Sequence, residues 1–164
     1  FLSLYDALEI PYPIFVSLPT ILRDDKTKKL GKRDGAKDIL EYRDEGFLPT
    51  AMVNFLALIG WNPGTEQEIF SKEELVKAFS IDQIQKSGGV FNEEKLSWMN
   101  KEHMKLLSQD ELKNAVLSRL KRSAILAENY LLMDEEFFKK LTPVILEHIS
   151  KWSDIDEMVN NGEI

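Results

Sequence analysis

The second half of the chain shows the spacing of amphipathic helices. From residue 92 onward, apolar residues recur three and four positions apart, which is the periodicity of a single helix face. Polar residues that often cap helix starts precede these stretches, and they are Asn92, Ser108, Asp134 and Ser153. The pattern predicts an all-helical region over residues 91–164.

Further residues set the expected helix boundaries in this region. Ser108 is followed by Glu111, which is the spacing of a capping box. The pair Thr142–Pro143 predicts a new helix, because proline fits the first helical turn, and Gly162 predicts the end of the last helix. The side chains expected to face the core are Leu96, Trp98, Met99, Leu112, Ala115, Val116, Leu120, Ala124, Phe137, Leu141, Val144 and Ile149.

Residues 49–60 carry the clearest helix signal in the first half. Pro49 suits the first turn, and Gly60 suits the left-handed position that follows a helix. Because the segment is apolar on nearly every side, we expect a buried central helix.

Two shorter helices are expected on either side of this one. The first covers residues 36–43 and ends at Gly46. The second begins at a capping box formed by Ser71 and Glu74. The side chains expected to be buried on these two helices are Ile39, Leu40, Leu75, Val76 and Phe79.

Two other segments of the first half lack a helical period. The apolar run Ile14–Val16 predicts a short strand, and Pro19 restricts it to a strand end or to a sheet edge. Residues 23–35 contain one apolar residue and two glycines, which predicts a loop. We therefore expect a mainly α fold: a small mixed α/β region over residues 1–90, then the all-helical bundle over residues 91–164.

Composition narrows the classes of function. The chain has no cysteine, which excludes disulfides and thiol catalysis, and its two histidines are far apart, so we expect no metal site. No apolar run approaches the roughly 18 residues of a membrane span, and no targeting signal is visible. We expect a soluble cytoplasmic protein, and the start at Phe1 suggests a piece of a larger one.

Charge points to one local patch. The formal net charge is −7, so the chain as a whole does not attract phosphate. One stretch runs against this balance, and its basic residues are Lys26, Lys28, Lys29, Lys32 and Arg33. Contact with nucleic acid would therefore have to come from local patches, and this stretch is the most prominent of them.

The segment Lys29–Gly35 has chemistry suited to phosphate. It offers two ammonium groups and a guanidinium within five residues, next to Gly31 and Gly35. Glycine lets a ligand approach the backbone closely, and lysine supplies a point charge that can follow phosphate charge as it moves. Taken alone, the same residues are equally typical of a solvated basic turn or a nuclear-localisation patch.

Four sequence blocks add a resemblance to this picture. They are residues 13–22, 29–36, 42–49 and 54–61, and the match continues at residues 90–92 and 95–100. In order and spacing they resemble the bacterial glutamyl-tRNA synthetase family, a class I aminoacyl-tRNA synthetase.

The resemblance implies a role for the basic stretch. Lys29–Arg33 is similar to the KMSKS signature, whose loop closes over ATP during adenylate formation. Lys29, Lys32 and Arg33 are then the expected catalytic residues, and Lys32 and Gly31 the expected ATP contacts. The family usually has serine where this chain has Gly31, which removes a hydroxyl donor and leaves the backbone N–H.

The resemblance also implies what else such a protein needs. The second class I signature, His-x-Gly-His, is absent from this sequence, so we expect a C-terminal fragment of a glutamate–tRNA ligase without its nucleotide-binding domain. Residues 1–90 would then be a stem-contact-like region, and residues 91–164 the first part of the anticodon-binding region. The fragment alone is expected to be inactive.

Partners follow from the same resemblance. The expected ones are tRNA for glutamate, glutamate and ATP, with Mg²⁺ as the counter-ion of ATP and not bound by this fragment. We expect a monomer with no membrane contact. The alternative is a non-catalytic helical module that binds RNA or a protein partner.

Other polar and aromatic residues give weaker signals. Arg119 and Arg122 share a helix face and are candidates for tRNA phosphate contact, although a solvated face explains them as well. Trp61, Trp98 and Trp152 could stack on bases, but their apolar neighbours favour core packing. His103, among charged residues, is expected to be exposed.

Overall fold

The computed structural model describes residues 1–31, 33, 36–121 and 135–163. Within them the chain forms α-helices joined by loops, and extended segments pair only as isolated bridges. The helices are α1 (Leu2–Leu8), α2 (Ile39–Glu45), α3 (Pro49–Gly60), α4 (Lys72–Ala78), α5 (Glu93–Met104), α6 (Gln109–Leu120), α7 (Glu135–His148) and α8 (Asp154–Asn160), with a 3₁₀ turn at Ile81–Gln83. The mainly α prediction is confirmed. The mixed α/β character predicted for residues 1–90 is not seen in the described part of that region.

The strand predicted at Ile14–Val16 is wrong. Residues 10–20 have no regular structure, and Ile14 is 84% exposed. Three prolines between positions 11 and 19 remove backbone donors from this stretch. A strand edge therefore cannot form a continuous ladder there.

Helix α2 forms close to its predicted place, but the side chains that it buries differ from those predicted. Asp38 and Glu41 form a capping box that begins the helix, and Gly46, with φ of 90°, ends it. Ile39 and Leu40 are more than half exposed, and the buried residue is Tyr42. The prediction that Ile39 and Leu40 face the core is wrong, because the short helix turns its third apolar residue inward.

Helix α3 is central but not buried on all sides. Its buried residues are Ala51, Met52, Asn54, Phe55 and Ile59. Val53 and Leu56 are 54% and 40% exposed, so the all-round burial that we predicted is wrong. Gly60 is the last helical residue, and the capping residue Trp61 has extended backbone, so no left-handed glycine ends α3.

The capping box predicted at α4 is confirmed. Ser71 Oγ accepts a hydrogen bond from the Glu74 N–H, and Glu74 Oε2 accepts one from the Ser71 N–H at 2.7 Å. Only Leu75 of the expected apolar residues is buried. Val76 is 75% exposed and Phe79 48% exposed, so their predicted burial is wrong.

Helix α5 connects the two largest groups of core side chains. Asn92 caps its start by accepting from the Lys95 N–H at 2.6 Å, as predicted. Leu96 and Met99 are fully buried with residues of α2 and α3. Met104, at the other end, packs with α6, α7 and α8. The predicted domain boundary at residue 90 therefore falls just before a helix that serves both regions, and it stays a prediction.

Helices α6 to α8 form the second core group. The Ser108–Glu111 capping box is confirmed, and the predicted stripe of Leu112, Val116 and Leu120 is buried. Ser153 precedes α8 as predicted, but its side chain makes no capping bond. Gly162, with φ of 71°, lies just past the end of α8. The predictions at Ala124 and Asp134 lie outside the described residues.

Helix α7 corrects the prediction of a helix start at Thr142–Pro143. The helix runs through the proline, and the Thr142 hydroxyl donates to the Phe138 carbonyl at 2.8 Å. Its buried face is formed by Phe138, Thr142 and Ile145, and Ile149, just past the helix end, is buried on the same side. These positions keep one helical period across the proline, so Phe137 and Val144, predicted to be inward, are 42% and 49% exposed.

The three tryptophans divide between core and surface. Trp61 and Trp152 are buried, which confirms the core-packing interpretation for both. Trp98 is 43% exposed, so the same interpretation is wrong there. No helix in the described residues has the length and apolar character needed to cross a membrane.

The two core groups are joined by a buried amide and by backbone contacts. Asn100 Oδ1 accepts from the Leu48 N–H at 2.7 Å, and Asn100 Nδ2 donates to the Ser150 carbonyl at 2.6 Å. The Ser153 N–H donates to the Glu45 carbonyl at 3.0 Å. Because Asn100 is fully buried, these bonds satisfy polar atoms that water cannot reach.

A second buried polar pair lies between α3 and α5. His103 is 4% exposed, so the expectation that it is exposed is wrong. Asn54 Oδ1 lies 3.0 Å from His103 Nε2 and also accepts from the Phe70 N–H at 2.8 Å. The Phe70 donor requires an oxygen at that point, so Nε2 must carry the proton. Burial lowers the pKa of His103 below its ordinary value of 6.5.

We expect this histidine to make stability depend on pH. With its pKa depressed in the folded state, the unfolded chain binds more protons near pH 6, and stability is lost as pH falls through 6.5 toward the folded value. His103→Gln keeps an N–H donor without this titration. Its free energy of unfolding, from urea titrations between about pH 7.5 and about pH 5, should therefore fall less than that of the wild type. His148→Gln, at an exposed histidine, is the matched control and should follow the wild type. Equal losses in all three proteins would contradict this prediction.

Candidate functional site

The basic stretch belongs to a loop with a defined base. We call residues 23–35 the lysine loop. Leu22 and Lys29 form an antiparallel bridge across its base. The Leu30 N–H donates to the Ile21 carbonyl at 2.9 Å, and the Arg23 N–H donates to the Lys28 carbonyl at 3.0 Å. The first half of the lysine loop is therefore a short closed hairpin.

A tight turn shapes the tip of this hairpin. The Thr27 N–H and hydroxyl both donate to Asp25 Oδ1, at 3.0 and 2.8 Å. The Thr27 N–H in particular holds the pKa of Asp25 below its ordinary value. Lys26 has φ of 58°, and its N–H donates to the Arg23 carbonyl. The carboxylate of Asp25 thus organises the turn, and the lysine side chains are left at the surface.

The base of the lysine loop is bonded to the segment before α5. The Leu22 N–H donates to the Gly89 carbonyl at 2.8 Å, and the Phe91 N–H donates to the Leu22 carbonyl at 2.9 Å. Asn92 Nδ2 adds a bond to Asp24 Oδ1 at 3.0 Å. These contacts fix the entry of the loop relative to the start of α5.

Gly89 is the residue that allows this pairing. A Cβ atom at Gly89 would lie 2.1 Å from the Ile59 carbonyl oxygen of α3. That distance is far inside van der Waals contact, so only glycine fits without movement of α3 or of the loop base. The segment to which the entry of the lysine loop is bonded is therefore packed directly on the C-terminal end of α3.

The exit of the lysine loop is held by charge. Lys37 Nζ lies 2.8 Å from Glu45 Oε1 and 2.6 Å from Glu93 Oε1. Lys151 Nζ binds the other oxygen of Glu45 at 2.8 Å. Four alternating charges therefore join α5, the loop exit, the end of α2 and the segment before α8.

This arrangement shifts the protonation of its members. Burial acts to lower the pKa of Lys37, but the bonds to Glu45 and Glu93 outweigh it and raise that pKa well above its ordinary value. Burial acts to raise the pKa of Glu45, and the bonds from Lys151 and Lys37 outweigh it and lower that pKa. Both shifts favour the charged forms of Lys37 and Glu45, which is what ion pairing of this kind does.

The predicted site residues are placed as follows. Lys29 and Arg33 have exposed side chains, and Gly31 is partly buried. No carboxylate in the described residues lies within ion-pair distance of Lys29 or Arg33. Lys32 lies outside the described residues. The structure therefore shows Lys29 and Arg33 as exposed cations.

The other predicted nucleic-acid contacts lie elsewhere. The Arg119 side chain is 12% exposed and lies 3.3 Å from Asp156 Oδ2. It also donates to the Asp44 carbonyl at 2.8 Å. Arg119 thereby ties α6 to α8 and to the end of α2, so its tRNA contact stays a prediction without support from this geometry. Arg122 lies outside the described residues.

Other features of the described residues offer little ligand chemistry. Within the described residues, no cluster of three or more carboxylates or histidines could hold a metal ion. An apolar cavity of about 380 Å³ lies between α2 and α3 and is lined by Ile39, Leu40, Met52, Val53 and Leu56 among others. The exposed apolar residues of α2 and α3 thus lie together around this cavity, which offers almost no polar group to a ligand.

Sequence reasoning missed the residues that hold the lysine loop in place. Gly89 follows another glycine, and that doublet marked a break without indicating which backbone approaches it. Lys37 had no distinguishing signal, because its two carboxylate partners lie 8 and 56 positions away in sequence. Such contacts arise only when α2 and α5 pack together.

Comparison with known proteins identifies the class of this chain. Residues 1–98 match the family described as tRNA synthetases class I (E and Q), catalytic domain. The chain belongs to this family of class I tRNA synthetases. The resemblance drawn from the sequence is confirmed at this level, whereas the assignment of residues 1–90 to a stem-contact-like region stays a prediction.

Individual relatives are glutamate–tRNA ligases. One from Fervidobacterium nodosum is 37% identical over 158 residues, which cover 96% of this chain and 32% of that protein. One from Citrifermentans bemidjiense is 53% identical over 102 residues, 62% of this chain and 21% of that protein. The crystal structure of a glutamate tRNA ligase from Elizabethkingia meningosepticum in complex with its amino acid aligns with a TM-score of 0.77 and 31% identity, over 99% of this chain and 34% of that one. The chain spans about a third of the length of the Fervidobacterium nodosum and Elizabethkingia meningosepticum proteins.

We expect Gly89→Ala to loosen the base of the lysine loop. The added methyl group must displace the Ile59 carbonyl or the loop base, which should cost about 1–3 kcal/mol of unfolding free energy. Amide exchange of Leu22 and Phe91, whose N–H groups bond across this contact, should become faster. Gly60→Ala is the control, because a Cβ there has no neighbour within 4 Å, and it should leave stability and exchange nearly unchanged. The prediction would be contradicted if the Leu22 amide exchanged at the same rate in Gly89→Ala as in the wild type.

Proposed function

We propose that this chain is the part of a glutamate–tRNA ligase that presents the lysine loop to ATP. The observation that carries the proposal is the loop itself: exposed cations on a stretch whose entry and exit are fixed to the protein body. Family membership and relatives named as glutamate–tRNA ligases support the same reaction.

The reaction gives these cations a defined task. When the glutamate carboxylate attacks the α-phosphate of ATP, negative charge moves onto the departing pyrophosphate. Lys29, Lys32 and Arg33 would follow that charge, with the Gly31 backbone N–H as a further donor. Groups aimed at developing charge lower the barrier, whereas groups that bind the ground state equally well do not. Mg²⁺ would accompany ATP as its counter-ion.

The other side of the ATP site is proposed to come from a part of the ligase that precedes this one. The sequence has no His-x-Gly-His motif, and the described residues contain no sheet that could carry a nucleotide. We therefore place this chain as the C-terminal fragment of the ligase, with residues 1–90 contacting the tRNA stem and residues 91–164 beginning the anticodon-binding region. Its proposed partners are tRNA for glutamate, glutamate and ATP, met in the cytoplasm by a monomeric enzyme.

Lys32→Ala in the full-length ligase tests the role of the loop. Loss of a charge that acts mainly in the transition state should lower kcat for ATP–pyrophosphate exchange by about 10²–10³-fold. The KM for glutamate should stay within about twofold of the wild type, because ground-state binding of the amino acid is not involved. Lys28→Ala, which removes the same charge from the same loop outside the predicted set, should have a much smaller effect. Unchanged exchange in Lys32→Ala would remove Lys32 from the mechanism.

The isolated 164-residue chain should form no glutamyl-adenylate, because it supplies one side of the ATP site. Pyrophosphate exchange measured with the purified chain, with the full-length ligase as positive control, checks this. Adenylate formation by the chain alone would contradict the fragment proposal. Absence of exchange in the full-length protein as well would favour the non-catalytic RNA- or partner-binding alternative.

A further inference from the structure

The exit of the lysine loop is fixed by a side chain that no sequence motif marks. Lys37 stands five positions after Lys32. Its ammonium contacts carboxylates from two different helices, Glu45 at the end of α2 and Glu93 in the first turn of α5. It also lies 5.2 Å from the centre of the Tyr42 ring. Two helices, α2 and α5, therefore meet the loop exit at one cation.

The surroundings of Lys37 make this contact stronger than an ordinary surface pair. Its side chain is 30% exposed, as against 77% for Lys140, which forms a simple pair with Glu136 on α7. Glu45 is itself held by Lys151 through its second oxygen. Each charge in the series has an opposite neighbour on a different element, so displacing Lys37 would leave Glu93 without its cation.

The position of Lys37 allows it to restrict the conformation of the lysine loop. The entry of the loop is bonded to residues 89–91, and Glu93 lies two residues further on. Entry and exit are thus both fixed to the same short segment at the start of α5. Holding both ends restricts the conformations that the cations between them can sample, and this reduces the entropy lost when they meet a phosphate.

We propose that Lys37 is a positioning residue: through Glu93 and Glu45 it fixes the exit of the lysine loop so that the loop cations meet the triphosphate of ATP in productive geometry. This inference rests on the proposed function. It assigns to Lys37 no contact with substrate. The contribution lies in orientation, where misplacement of a reacting group by about 1 Å can cost about 10²-fold in rate.

Kinetics of the full-length ligase provide the first test. Lys37→Met should lower kcat for ATP–pyrophosphate exchange by about tenfold and leave the KM for glutamate within about twofold. Lys37→Arg, whose fork can reach both carboxylates, should recover most of the lost kcat. Glu93→Gln should move kcat in the same direction by a smaller factor. Lys140→Met, which breaks an exposed pair of the same chemistry, is the matched control and should behave as the wild type.

Trypsin cleavage of the 164-residue chain provides a second test that needs no activity. Cleavage after Lys28 and Lys29, followed by mass spectrometry, reports opening of the loop. It should be faster in Lys37→Met than in the wild type and in Lys140→Met. Salt screens partly exposed ion pairs, so raising the salt concentration should speed cleavage of the wild type toward the rate of Lys37→Met and change the variant little.

The outcomes separate the inference from the proposed function. The positioning role would be overturned if Lys37→Met had the same kcat for ATP–pyrophosphate exchange as the wild type. It would also be overturned if trypsin cleaved Lys37→Met and the wild type at the same rate at every salt concentration. A fall in kcat that Lys37→Arg does not recover would also overturn it. Absence of exchange in the wild-type ligase would refute the proposed function, while the cleavage experiment would still decide whether Lys37 holds the loop.

Discussion

The close approach of Gly89 to the Ile59 carbonyl is the constraint on which the rest of the structure depends. It brings the segment before α5 against the end of α3, with no room for a side chain between them. The Gly89 carbonyl also accepts a hydrogen bond from the Leu22 N–H. Gly89 therefore takes part both in the packing against α3 and in the base of the lysine loop. A change in this contact would therefore move the core and the lysine loop together.

Helix α5 carries this constraint through the molecule. Asn92, at its start, is bonded to the lysine loop, and Glu93 is paired with Lys37 just past the loop. Its middle contributes Leu96 and Met99 to the first core group. Its end contributes Met104 to the second core group. A helix fixed at so many points behaves as a rigid element, because close-packed interiors transmit displacement rather than absorb it. The lysine loop is thus attached to a rigid part of the protein.

Local sequence rules predicted the helix starts well and the buried faces less well. The capping boxes at Ser71 and Ser108 and the cap at Asn92 depend on neighbours within three residues, so they could be recognised directly. The exposure of Val76, Trp98 and Val144 could not, since it depends on where other helices lie. At α7, packing on both sides of Pro143 outweighed the usual effect of proline on a helix.

The candidate site divides in the same way. Clustered cations in residues 29–33 were visible because charge and glycine spacing are local properties. The contacts that hold this stretch, at Gly89 and Lys37, join residues far apart in sequence. His103 is the opposite error: its charged neighbours in sequence suggested solvent, while Asn54, on another helix, bonds to it inside the protein.

The Asn100 amide has a consequence for which substitutions the chain can tolerate. One end of its amide takes a hydrogen bond from Leu48 and the other gives one to Ser150. Aspartate would turn the giving end into a second oxygen facing a carbonyl, and leucine would leave both backbone groups without a partner. Glutamine has the right atoms on a stem that is one carbon too long for a fully enclosed space. Few substitutions are therefore tolerated at this position, even though Asn100 has no proposed role in binding or catalysis.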